Sequence, residues 1–220
     1  MYNELLFILH SLLVSTGALV ALWLGQAALV AYVCLQCIIA NIMVLKQITL
    51  FGLTATAADA YTIGATLGLN LLQEYYGRAA AYKAIWTNFA LLIMYALITQ
   101  LHLAYVPYAL DTTQHHYTAL FMFIPRIVTA SFLVYLFVQL VDYTLYGALK
   151  HYFGNRYLVL RNYASIIICQ GIDTVLFSFL GLYGLVHNIG EIICISYAVK
   201  IVAIIIATPL VALSGYVFRK

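Results

Sequence analysis

Charge is what this sequence has least of. Only 8% of its 220 residues are Asp, Glu, Lys or Arg, against 65% hydrophobic, and the mean hydropathy of +1.01 lies far above that of an ordinary water-soluble domain. The net charge of +3 is too small and too dispersed to suggest a nucleic-acid partner. Cysteine is equally sparse: Cys34, Cys37, Cys169 and Cys194 all fall within apolar runs, which excludes a disulfide framework and says nothing of an oxidising compartment. The pair Cys34-Leu-Gln-Cys37 has the spacing of a metal or redox motif but lacks a second pair, and His115-His116 lacks further ligands, so no metal site is expected. No phosphate-binding loop, nucleophile elbow or zinc-protease helix occurs, and no nucleophile stands beside a base. Neither an enzyme, ATP hydrolysis by this chain nor a cofactor is expected. Met1 to Glu4 contains no basic residue and Leu5 to Leu24 exceeds the core of a secretory signal, so the first apolar run reads as a retained span.

What is present is a series of apolar runs of membrane length. They are unbroken, whereas barrel strands show roughly 10-residue segments of alternating polarity. The expected fold is an all-α polytopic membrane bundle of about seven spans: residues 5 to 24, 27 to 45, 57 to 72, 84 to 103, 118 to 146, 163 to 186 and 190 to 214. Gly25-Gln26 should turn the first two into a hairpin. Arg78 with Lys83, then Lys150, Arg156 and Arg161, then Arg219 with Lys220 fall in alternate connections and at the C-terminus, whereas 104 to 117 and 187 to 190 contain no lysine or arginine. The positive-inside rule makes that basic set cytoplasmic, the C-terminus included. Lys46 is the exception, readable as a lysine lining a vestibule or as a sign of a miscounted span. The third span carries Asp59, Thr62, Asn70 and Glu74 with three glycines; it is either a re-entrant helix or a plain span packed through Gly64, Ala65 and Gly68.

Polar residues inside the apolar runs are the functional signal, because an ionisable group at bilayer depth is costly without a partner or a watery cavity. Asp173 lies twelve residues beyond Arg161, ~18 Å along a helix and so near the middle of a span. Counting outward from the 187 to 190 loop places Lys200 within about one turn of the depth of Asp173. Such a pair either ties two helices together or opens when a substrate or proton arrives. The fifth and sixth spans share a pattern: Arg126, Ser131, Gln139 and Asp142 in one, Arg161, Ser165, Gln170 and Asp173 in the other. In each the glutamine precedes the aspartate by three and shares its helix face, so two such helices could close as a pincer on one flat polar ligand. Arg126 either snorkels or points inward toward an acceptor. The abundance of tyrosine, nineteen residues, adds rings on which a planar, nitrogen-rich heterocycle could stack.

These residues resemble a known family. Ala40-Asn41-Ile42 followed by Lys46, Asn70-Leu-Leu-Gln-Glu74-Tyr-Tyr-Gly77-Arg78, Arg126-Ile-Val-Thr-Ala-Ser131 with Gln139-Leu-Val-Asp142, Ser165 with Gln170-Gly-Ile-Asp173-Thr174, and Glu191, Tyr197, Lys200 and Pro209 are similar, in order and spacing, to the bacterial queuosine precursor transporters, also called vitamin uptake transporters. The likeness runs from about Ile38 onward. It implies one membrane domain: a six-helix core over 27–220 preceded by an extra span over 1–26. It also implies import of 7-deazaguanine bases such as preQ0, preQ1 or queuine across the cell's inner membrane. The partners are then a deazapurine base and membrane lipid, with room for a homo-oligomer. The substrate-binding candidates are Asn41, Asn70, Glu74, Arg126, Gln139, Asp142, Gln170, Asp173 and Lys200. Asn70 departs from the aspartate common in the family, which weakens a role for that position in reading a positive charge. The alternative is the binding subunit of an energy-coupling factor transporter, in which separate ATPases supply the work.

Overall fold

The computed structural model describes residues 2–152 and 158–218. Arg156, Arg219 and Lys220 lie outside the described residues, as do the side chains of Lys150, Arg161 and Pro209. The chain is a helical bundle with one small excursion. Its elements are α1 (Tyr2–Leu24), α2 (Gln26–Met43), a hairpin of β1 (Gln47–Leu50) and β2 (Leu53–Thr56), α3 (Asp59–Leu103), α4 (Gln114–Phe121), α5 (Ile124–Tyr152), α6 (Leu158–Phe177) continued by a π-helical turn over Ser178–Leu182, and α7 (Ile189–Phe218). Among the described residues five helical runs are long and apolar enough to cross a membrane, with α3 counted once and α4 joined to the start of α5.

α3 is in fact two helices. At Gly77 the backbone takes φ 83°, ψ 168°, a conformation essentially restricted to glycine. The packing shows that the chain reverses there. Before it, a Cβ on Gly68 would lie 2.6 Å from Val33, and one on Gly64 would lie 3.3 Å from Gln36, so residues 59–76 run antiparallel to α2. After it, Ala81 and Ala84 join the core formed with Leu29 and Val33, while Phe89 and Leu92 pack with Ile38, so residues 78–103 run parallel to α2. The expected third and fourth spans are both present, joined by a single residue. The third is an unbroken helix packed through Gly64 and Gly68, as the plain-span reading requires; its break lies at the end, not at depth. Gly25, at φ 108°, makes the corresponding turn between α1 and α2.

The β-hairpin has no counterpart in the hydropathy pattern. Its tip, Phe51-Gly52, has φ 53° and 82°, the positive pair that a two-residue hairpin turn needs to match strand twist. The strands pair Leu50 with Leu53 through to Gln47 with Thr56. Leu50 and Ala55 are fully buried against Ile195 of α7, beside Phe7, Ile48 and Val199. Backbone groups the ladder leaves open find side chains on both sides. The Phe51 amide donates to Glu4 (2.9 Å), the Thr54 amide donates to Glu191 (2.7 Å), and Asn3 donates to the Thr49 carbonyl (3.1 Å). Non-helical backbone among membrane helices persists only where it is covered in this way.

The geometry of Gly77 yields a direct test. Replacing it with alanine places a Cβ in a region that costs about 1–3 kcal/mol, so Gly77→Ala should lower the thermal unfolding midpoint of the purified protein in detergent. A midpoint equal to that of the parent would show that the reversal tolerates a side chain.

Candidate functional site

The polar side chains of the interior form a line. On α7, Ser196 and Lys200 are four residues apart and therefore share a face. Lys200 Nζ donates to Asp173 Oδ2 of α6 at 2.6 Å and to the neighbouring Thr174 hydroxyl at 3.1 Å. One turn nearer the hairpin, the Ser196 hydroxyl donates to Asp59, the first residue of α3, at 3.0 Å. Asp59 is 4% exposed and also has the amide and hydroxyl of Thr56 beside it. One turn in the other direction along α6, Asp142 of α5 accepts from the Ser165 hydroxyl and, at 3.6 Å, from the Cys169 thiol. Ser165, Cys169 and Asp173 recur every four residues, so α6 carries the line from α5 to α7. Hydrogen bonds join Asp59 to Ser196, Lys200 to Asp173 and Cys169 to Asp142, and the four-residue spacing on α7 and α6 sets these pairs in order along the two helices.

The line is not sealed. The side chains of Lys200 and Asp173 remain 19% and 30% exposed, and among the described residues Asp173 Oδ1 accepts no hydrogen bond. Local sequence explains the close approach of α6 and α7. Gly171 leaves room for the ring of Tyr197, whose nearest atom would stand 3.4 Å from an added Cβ, and the Tyr197 hydroxyl donates to the Ile167 carbonyl at 3.2 Å.

Other sequence candidates are engaged elsewhere. Arg126 does find acceptors, and they are backbone: Nε donates to the Leu180 carbonyl (3.0 Å) and an Nη donates to the Tyr183 carbonyl (2.8 Å), closing the end of the π-helical turn. Asn41 is buried and donates back to the Cys37 carbonyl of its own helix. Asn70 and Glu74 are exposed near the Gly77 end, and Gln139 is exposed with its amide on the Tyr135 hydroxyl. Gln170 is half-buried, and its carbonyl accepts from Thr174. The Gln/Asp pairs do not close as a pincer, because Asp142 is held at the α5–α6 interface and Asp173 at the α6–α7 interface. Asp59 and Ser196 were not among the sequence candidates. Asp59 was visible as a charge in an apolar run, but nothing local pointed to a hydroxyl 137 residues away. Lys46 is exposed on a cleft of about 370 Å³ that it shares with Asn3, Phe7, His10 and Tyr61.

A family model described as "Putative vitamin uptake transporter" matches residues 56–214, beginning at the last residue of β2 and covering most of the chain. The chain belongs to this family. This vitamin uptake transporter homologue is also 34% identical over 163 residues to a Bacillus subtilis (strain 168) protein named "Probable queuosine precursor transporter", an alignment covering 72% of this chain and 71% of that protein. No solved structure matches it. It is therefore a multi-pass membrane transporter, and its interior polar line lies within the region shared with the family.

If Asp173 and Lys200 offset each other's burial, removing one leaves the other unpaired. For a fully buried pair that costs about 3–5 kcal/mol; partial exposure here should bring the value below that range. Lys200→Met should lower the unfolding midpoint more than the double variant Asp173→Asn/Lys200→Met. A loss in the double variant equal to the sum of the losses in Lys200→Met and Asp173→Asn would show that the two charges are not coupled.

Proposed function

We propose that this transporter imports a 7-deazaguanine-type base, a queuosine precursor such as preQ0, preQ1 or queuine, and that the base binds at Asp173 and Lys200. The observation that carries this reading is the placement of Asp173: a part-buried carboxylate within an apolar bundle, with one oxygen on a lysine and, among the described residues, no hydrogen bond to the other. A base of this class presents an exocyclic amine and a ring N–H side by side, which match the two acceptor oxygens of a carboxylate, while its carbonyl matches a donor such as Lys200 or the Gln170 amide. Such charge-assisted contacts are short and directional, and they give the site a reason to hold a charge where lipid would exclude it. The name of the Bacillus relative supports the same substrate class.

The arrangement suits alternating access. Lys200 need only swing from Asp173 toward the incoming carbonyl for the carboxylate to be offered whole, and the matched register of α6 and α7 keeps both groups at one depth. In our reading the Gly77 end faces the cytoplasm, since Arg78 and Lys83 cluster there, and the hairpin and the Lys46 cleft face outward. The C-terminus is then cytoplasmic and the bundle resides in the inner membrane of a bacterial cell.

A strain unable to make the precursor, given the gene and external queuine, preQ0 or preQ1, should regain queuosine in its tRNA. Losing the charge-assisted contact is worth about 1.5–3 kcal/mol, so Asp173→Ala should weaken uptake by about 10- to 100-fold at limiting base. Unmodified tRNA in cells that display the protein in the membrane would overturn the assignment.

A further inference from the structure

A second polar cluster lies apart from the interior line, in the cleft beside Lys46. Two backbone hydrogen bonds fix this residue: its amide donates to the Met43 carbonyl at 3.0 Å, and its carbonyl accepts from the Ala57 amide at 2.8 Å. Its ammonium, by contrast, makes no ion pair or hydrogen bond among the described residues. Apart from the set expected in the cytoplasm, the lysines and arginines of this chain are Lys46, Arg126 and Lys200. Arg126 is bonded to two carbonyls and Lys200 to Asp173, so of the three only Lys46 is uncommitted. The nearby acid of α1, Glu4, accepts from the Phe51 amide at the hairpin tip. Other groups lining the cleft have hydrogen-bonding capacity to spare. Asn3 places one amide N–H on the Thr49 carbonyl, and neither the Tyr61 hydroxyl nor the His10 imidazole has a hydrogen-bond partner among the described residues, although their rings meet edge-on at 4.4 Å between centroids. Leu6, Phe7 and Met43 form the apolar side. Leu6 is itself 43% exposed and shares a helix face with Leu9 and Leu13, both more than half exposed on the surface of α1 that a bilayer covers.

We propose that this cleft binds the phosphate head of an anionic phospholipid, with the acyl chains laid along α1. Charge selects the ligand. An ammonium with no counter-ion at the end of a membrane helix attracts anionic lipid, and lysine serves phosphate as a point charge. The Tyr61 hydroxyl, the second N–H of Asn3 and a ring N–H of His10 are donors that phosphate and glycerol oxygens can use. The volume of about 370 Å³ suits a glycerol phosphate head, while the chains leave over Leu6 toward Leu9 and Leu13. A soluble phosphate would leave Leu6, Phe7 and Met43 facing water, and a deazaguanine base brings no anion for Lys46, so this cleft and the Asp173 site call for different ligands. The inference does not depend on what the transporter carries. A lipid held here would tie α1 to the start of the hairpin and to the first turn of α3, and a ligand that binds only the folded chain stabilises it.

The test uses the full-length protein, stripped of lipid in a neutral detergent and titrated with phosphatidylglycerol. Native mass spectra should show a single lipid retained per chain, at concentrations where phosphatidylcholine, whose trimethylammonium opposes Lys46, is not retained. Lys46→Met should weaken retention about fivefold, the worth of one lysine beside an anionic lipid, and Lys46→Arg should preserve it. Lys46 is exposed, so both variants should unfold at the parent's midpoint without lipid, and the rise in midpoint on adding phosphatidylglycerol should shrink in Lys46→Met alone. Equal retention by the parent and Lys46→Met, or equal retention of the two lipids, overturns the proposal. Inorganic phosphate that raises the midpoint as far as phosphatidylglycerol does would make the occupant a soluble anion and overturn the lipid. Phosphatidylglycerol bearing a diazirine in its acyl chain should, on illumination, mark Leu6, Phe7 and Met43 ahead of other apolar surfaces; even marking along all the lipid-facing helices would place the lipid elsewhere and overturn the site.

Discussion

An ammonium and a carboxylate 2.6 Å apart inside an apolar bundle govern what the rest of this chain can do. Each ion taken from water costs several kcal/mol, and only close contact with good geometry offsets the loss. That contact fixes the relative height of α6 and α7, so the features nearby are consequences of it. Gly171 admits Tyr197, Thr174 gives Lys200 a second acceptor, and the π-helical turn after α6 sets the length of the link to α7. That turn leaves carbonyls exposed, and Arg126 closes them from α5. Three helices are thus held to one register by polar groups that bond to one another.

The two halves of the bundle are built differently. α1, α2 and the two arms of α3 meet through small residues: Ala18, Ala21, Gly64, Gly68, Ala81 and Ala84 let backbones approach, and dispersion does the holding. α5, α6 and α7 meet through hydroxyls, carboxylates and a lysine. The first half resists rearrangement because close packing has few alternatives. The second keeps hydrogen bonds that can be exchanged for equivalent ones at little net cost. The β-hairpin sits where the halves adjoin, with α1 holding its tip through Glu4 and α7 holding its second strand through Glu191.

Features that depend on one helix at a time were legible in the sequence. Hydropathy gave the spans, Gly25 gave the first turn, and counting residues from the 187 to 190 loop put Lys200 beside Asp173. That count succeeded because α6 and α7 are consecutive. The same method could not bring Asp59 to Ser196, since the register between α3 and α7 is set by everything folded between them. Rotation about the helix axis defeated the pairing of Gln139-Asp142 with Gln170-Asp173: the repeat fixes which residues share a face, and packing decides where that face looks. The sequence left Arg126 either snorkelling or turned toward an acceptor; its acceptors are carbonyls at the π-helical turn, which side-chain periodicity does not announce. The hairpin was missed because Gln47 to Thr56 alternates too briefly to register beside runs of twenty apolar residues, and only Phe51-Gly52 hinted at it.

Gly77 has a mechanical meaning beyond its backbone angles. With one residue between them, the two arms of α3 have no slack, so neither can slide lengthwise without dragging the other. The two arms therefore behave as one strut, in contrast to α6 and α7, whose link spans several residues.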